Sequence, residues 1–149
     1  MSLDVEEKNV AYRMGRLFAV LEGIQKQALG KDINATIRDR YWGAASATPA
    51  LVFPSLKRNA MNHLAKIRKD NPEKRYLASF FDWQIGEIEN GMPTSWPLHL
   101  SLEDQGRFAI GYYHQRFTRK IKDQTGANND NPLAADHGED RTDVESSDD

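Results

Sequence analysis

Cysteine is absent from this sequence, which removes disulfide frameworks and thiolate metal ligands and fits a reducing, cytoplasmic setting. Long apolar runs are missing as well. Nothing approaches the roughly 20 residues that span a bilayer, and the opening MSLDVEEKNV is charged where an export signal is apolar, so no membrane partner is expected. The four histidines, at 63, 99, 114 and 137, never stand three or four residues apart, and neither HExxH nor Glu-x-x-His occurs. None of the ten glycines builds GxxxxGK[ST], GxGxxG or GxSxG, so phosphate-cradling loops and nucleophile elbows are absent. The expectation is a chain without metal, cofactor or catalytic residues.

What the chain has in quantity is charge, unevenly placed. Residues 123–149 carry nine acidic residues against one arginine, a balance of −8, which leaves 13 acidic and 19 basic residues in 1–122, a balance of +6. The segment DQTGANNDNPLAADHGEDRTDVESSDD has no aromatic and almost nothing large and apolar, so it is expected to be a disordered acidic tail. Residues 1–122 are then a single domain with a basic surface.

Apolar residues in that domain recur at helical spacing, and nowhere alternate over strand lengths, so the predicted class is all-α: a compact bundle of about five helices. Helix one is expected from Asp4, with Glu7 three residues on as a capping-box partner, to the stop at Gly30. Helix two starts at the Asn34 cap, with Ile37, Tyr41 and Ala44 on one face and small Ala and Ser residues that imply close packing against a neighbour. Helix three follows Thr48-Pro49 to about Lys69, with either a kink at Pro54 or a later start at Ser55. Helix four follows Asn71-Pro72-Glu73 and ends at Asn90-Gly91, and MPTSWPLHL interrupts the helices. Ser101 and Asp104 cap helix five, which is expected to reach about Lys122.

Chemistry-bearing pairs are few. Glu6-Glu7, Glu87 with Glu89, and Glu103-Asp104 point in different directions on a helix and read as solvated faces and caps. His114, beside Tyr113, is the one acid/base candidate; a half-buried helix histidine is the simpler reading.

Basic faces are plainer. On helix three, Phe53, Leu56, Ala60, Leu64 and Ile67 gather on one side at 100° per residue, and Arg58, Asn62, Lys66 and Lys69 on the other. Such a stripe is either an ordinary solvated face or a surface that tracks phosphates. Arg13 and Arg16 flank the apolar stripe of helix one, and Arg38 and Arg40 adjoin Tyr41-Trp42. Arginine beside aromatics suits single-stranded nucleic acid, and equally suits core rings flanked by surface charge. Helix five divides into two arcs. Leu102, Ala109, Ile110, Tyr113 and Phe117 are expected in the core, and Phe108, Tyr112, Gln115 and Arg119 form a second stripe facing away from it, as in a helix that is either central in the bundle or docks a partner.

Four strings together, AYRMGRLFAVLEGIQKQA (11–28), NATIRDRYWGAASATPALVFPSL (34–56), HLAKI around His63, and HLSLEDQGRFAIGYYHQR (99–116), resemble the C-terminal helical region of the large subunit of the type I-C CRISPR surveillance complex, Cascade. The likeness covers residues 11–119. In that family this region is also made separately, by internal translation initiation, as the Cascade small subunit. The resemblance therefore implies a non-catalytic small subunit or an excised C-terminal domain, and MSLDVEEKN ahead of helix one favours the former. Implied partners are the large subunit, the backbone subunits, neighbouring copies of the chain, guide RNA, and target DNA including the displaced non-target strand. The resemblance does not choose among the basic residues; charge and helical phase nominate Arg13, Arg16, Arg38, Arg40, Arg58, Lys66 and Lys69 for nucleic acid.

Overall fold

The structure is a computed structural model that describes residues 3–128, with side chains as far as residue 118. Five α-helices follow in chain order: α1 (Val10–Leu29), α2 (Ile37–Ala47), α3 (Pro49–Asp70), α4 (Arg75–Glu89) and α5 (Leu102–Asn128). Short 3-10 turns at Gly30–Asp32 and Pro72–Lys74 join them, and no strand occurs among the described residues.

Helix α1 is the axis of the fold and touches each of the other four helices. Nearly every residue from Ala11 to Ile24 is buried, Arg16 and Glu22 among them, the pattern of a helix surrounded by others. The closest packing is between α1 and α5, where two glycines meet the opposite backbone. A Cβ at Gly15 would lie 1.9 Å from the carbonyl oxygen of Phe108, and one at Gly111 would lie 2.0 Å from that of Tyr12. Only hydrogen side chains permit this approach.

Aromatic rings fill the space around the contact. Phe18 stands 5.7 Å from Phe108 and 5.8 Å from Tyr112, and Trp42 of α2 meets Tyr112 edge-on at 4.9 Å. The proline-rich connection after α4 also contributes to the core, because Trp96 stacks on Phe53 at 4.9 Å. Its backbone caps a helix as well: the Pro97 carbonyl accepts from the Ala50 N–H in the first turn of α3.

Several boundaries differ from the sequence expectation. Helix α1 begins after Asn9, whose side chain accepts from the Tyr12 N–H, while Asp4 and Glu7 accept from the Glu6 and Asn9 N–H groups in the preceding turn. Helix α2 is capped by Thr36, in a capping box closed by Asp39, rather than by Asn34. Its buried face is Ala45 and Ser46, and Tyr41 is exposed. Helix α3 runs unbroken through Pro54, whose ring is exposed to solvent. Helix α5 continues past Lys122 to Asn128, so residues 123–128 of the segment expected to be a disordered acidic tail are helical; residues 129–149 of it lie outside the described residues.

Helix α5 also turns the opposite face inward. Phe108 and Tyr112 are fully buried and Gln115 nearly so, whereas Leu102, Ile110, Tyr113 and Phe117 are exposed. The arc that contains Gly111 is the one that can reach the α1 backbone, and that contact sets the rotation of the helix.

Candidate nucleic-acid interface

The seven nominated cations separate into two groups. Arg16 is 2% exposed. Its Nε donates to Gln115 Oε1 at 3.0 Å and its Nη2 to Glu87 Oε2 at 2.9 Å, so it is a buried tie between α1, α4 and α5 rather than a phosphate ligand. Arg13 donates from Nε to the Glu7 carbonyl and from Nη1 to the carbonyls of Ile88 and Asn90. It holds the N-terminal segment and the end of α4, where carbonyls at a helix C-terminus favour a cation. Arg38 lies over the rings of Tyr112 and Tyr113 at 5.5 and 5.4 Å and donates to the Tyr113 hydroxyl. Its charge is engaged by the aromatic cluster of its own fold.

Arg40, Arg58, Lys66 and Lys69 remain. All four are exposed, and none makes an ion pair among the described residues. The other two cations on α3 behave differently: Lys57 pairs with Glu89 at 2.7 Å and Arg68 with Asp82, fastening α3 to α4. Helix α3 therefore spends one edge on the fold and presents the other to solvent. From Arg58 to Lys69 the helix rises about 16 Å, comparable to roughly five nucleotides of one strand.

Arg40 joins this surface from α2. With Gln25, Tyr41, Asn59 and His63 it lines a cavity of about 210 Å³ whose floor includes Leu21 and Leu56. His63 Nδ1 is buried and has no hydrogen-bond partner among the described residues. Burial, and secondarily the charge of Lys66, push the His63 pKa below its ordinary value, so the imidazole is neutral at pH 7. Sequence reasoning passed over His63 and Asn59. The available signal was their place on α3, between the apolar arc and the basic stripe.

The outward residues expected for a docking partner are reassigned by the rotation of α5. Phe108 and Tyr112 are core; the Tyr112 hydroxyl donates to buried Glu22 at 2.6 Å, and its pKa is raised by burial and then by that bond. Gln115 holds Arg16, and the side chain of Arg119 lies outside the described residues. The exposed apolar stripe of α5 is instead Ile110 at 51%, Tyr113 at 41% and Phe117 at 46%. A second stripe on α4, with Tyr76 and Trp83 exposed and Phe80 stacked on Trp83, was not anticipated, although its i, i+4, i+7 spacing was readable.

His114 forms a structural contact. The Tyr12 hydroxyl accepts from the Asp4 N–H at 3.0 Å and lies 2.9 Å from His114 Nδ1, so it joins the N-terminal segment to α5. No group of three or more His, Cys, Asp or Glu able to hold a metal occurs among the described residues, and no helix there is long and apolar enough to cross a membrane.

Fold and surface thus define an all-α bundle with one cationic face and exposed apolar stripes on two helices. The chain belongs to the family described as CRISPR-associated protein (Cas_Csd1), whose model matches residues 1–119. Comparison with curated proteins finds no match. The family match ends inside α5, so the acidic segment after it is outside the matched region.

Proposed function

We propose that the chain is the non-catalytic small subunit of a type I-C CRISPR RNA-guided surveillance complex, Cascade, acting in the cytoplasm without a cofactor. It assembles with the large subunit, the backbone subunits and neighbouring copies of itself. Through the face formed by Arg40, Arg58, Lys66 and Lys69 it steadies the guide–target duplex and the displaced strand. The observation that carries this reading is the set of four exposed cations on α2 and α3 without acidic partners among the described residues, in a member of a CRISPR-associated family. R-loop formation is a nearly balanced exchange of one duplex for another, so a few backbone contacts suffice to tip it.

The test is charge reversal of Arg58, Lys66 and Lys69 in the assembled complex. Target binding should weaken and its salt dependence should become shallower, with assembly intact. Unchanged target binding at physiological salt contradicts the reading.

The exposed stripe Ile110, Tyr113 and Phe117 favours a second reading: a protein-interaction module, such as an excised C-terminal domain of the large subunit, that makes no direct nucleic-acid contact. In that case charge reversal is silent, and polar substitutions on α5 prevent incorporation.

A further inference from the structure

We propose that the cavity between α1, α2 and α3 is a binding site for one unstacked nucleobase of a single strand. This rests on the reading of the α2/α3 face as a nucleic-acid surface, and adds a site that takes the base where the lysines and arginines take phosphate.

Position is the first argument. The cavity is lined by the exposed Arg40 and Asn59 together with His63, and Asn59 and His63 lie between Arg58 and Lys66 along α3. A strand that follows the exposed cations passes over its mouth.

Size is the second. A cavity of about 150 Å³ accommodates benzene, so about 210 Å³ has room for one heteroaromatic ring system with its sugar left outside. The sugar and its phosphates then lie at the surface beside the Arg40 guanidinium. Apolar side chains from α1 and α3, Leu21 and Leu56 among them, meet the ring faces.

The polar groups supply the third argument. A buried nitrogen without a partner is costly to keep, and among the described residues His63 Nδ1 is one. Because His63 is neutral, its ring offers one donor and one acceptor, and the Asn59 amide offers both. Base edges also carry donors and acceptors side by side, whereas phosphate carries only acceptors and is better served by the exposed cations. In this proposal the imidazole turns about its Cβ–Cγ bond as the base arrives, and brings Nδ1 to the base edge.

The experiment uses the full chain and two labelled strands of equal length and charge, oligothymidylate and a strand made only of abasic tetrahydrofuran sites, in fluorescence anisotropy titrations. The chain should bind oligothymidylate roughly tenfold more tightly than the abasic strand. Replacing His63 and Asn59 by Leu should remove that preference, with circular dichroism confirming the helical fold. If the double variant unfolds, Asn59→Leu alone, at an exposed position, should reduce the preference. Equal affinity of the unsubstituted chain for the two strands overturns the base site and leaves the cationic face standing. Failure to bind either strand overturns both, and a preference that survives these substitutions overturns the base site.

Discussion

Alanine at Gly15 should destabilise the fold, and alanine at Gly86 should stabilise it. Both glycines are helical, and replacing glycine by alanine in a helix interior gains about 1 kcal/mol from the backbone alone. At Gly86 nothing lies within 4 Å of the added carbon, so that gain should appear nearly whole. At Gly15 the new Cβ would sit 1.9 Å from the Phe108 carbonyl oxygen. An ordinary carbon–oxygen contact is about 3.3 Å, so α1 and α5 would have to separate by about 1.4 Å. Opening a packed interface by that distance forfeits a large part of its dispersion contacts, and overpacking of this kind costs about 3 kcal/mol. After the helix gain the net loss is about 2 kcal/mol, a fall in Tm of roughly 8 °C for a domain of this size. Urea and thermal unfolding followed by far-ultraviolet circular dichroism measure both variants. A Gly15→Ala protein as stable as the parent would refute the backbone contact between α1 and α5.

Other perturbations follow from the same geometry. Arg16→Ala should cost about 3 kcal/mol in urea unfolding by leaving Glu87 and Gln115 without their partner, and Arg16→Met should recover part of that loss through packing. Phe108→Ala should lose about 3–5 kcal/mol as a cavity mutant, whereas Ile110→Glu with Tyr113→Glu should leave unfolding within about 1 kcal/mol of the parent, separating core from surface stripe. Thr36→Ala should cost about 1 kcal/mol through loss of the α2 capping box. His63 titrates lower when folded than when unfolded, so its contribution to stability is complete above about pH 6.5 and is lost as pH falls through its folded pKa. Denaturation midpoints measured between neutral and mildly acidic pH should show this slope, and His63→Gln should flatten it.

Helix number, helix class and the burial pattern of α3 were legible because each depends on local periodicity: Phe53, Leu56, Ala60, Leu64 and Ile67 repeat at helical spacing and are all buried. The rotation of α5 was not. Its two arcs have similar apolar content, Phe108 and Tyr112 on one and Ile110, Tyr113 and Phe117 on the other, so periodicity cannot rank them. The discriminating residue is Gly111, which marks the face where a second backbone comes close, and Gly15 marks the matching face of α1. The same limit applies to the cations. Charge and phase separate Arg58, Lys66 and Lys69 from the core, but they cannot show that Arg16, Arg13 and Arg38 are held by partners about 70 to 100 residues away in the chain. Helix starts shifted for a local reason: Asn9 and Thr36 form side-chain caps, while the acidic groups at Asp4 and Glu7 bond within the preceding turn.

Amine footprinting of the assembled complex, with and without bound target DNA, tests the central proposal most directly, because it reads the lysines that the proposed contact covers. Lys66 and Lys69 should lose reactivity when target is bound, while the exposed Lys8, in the segment ahead of α1, should keep its own. Undiminished labelling of Lys66 and Lys69 in the target-bound complex would contradict it.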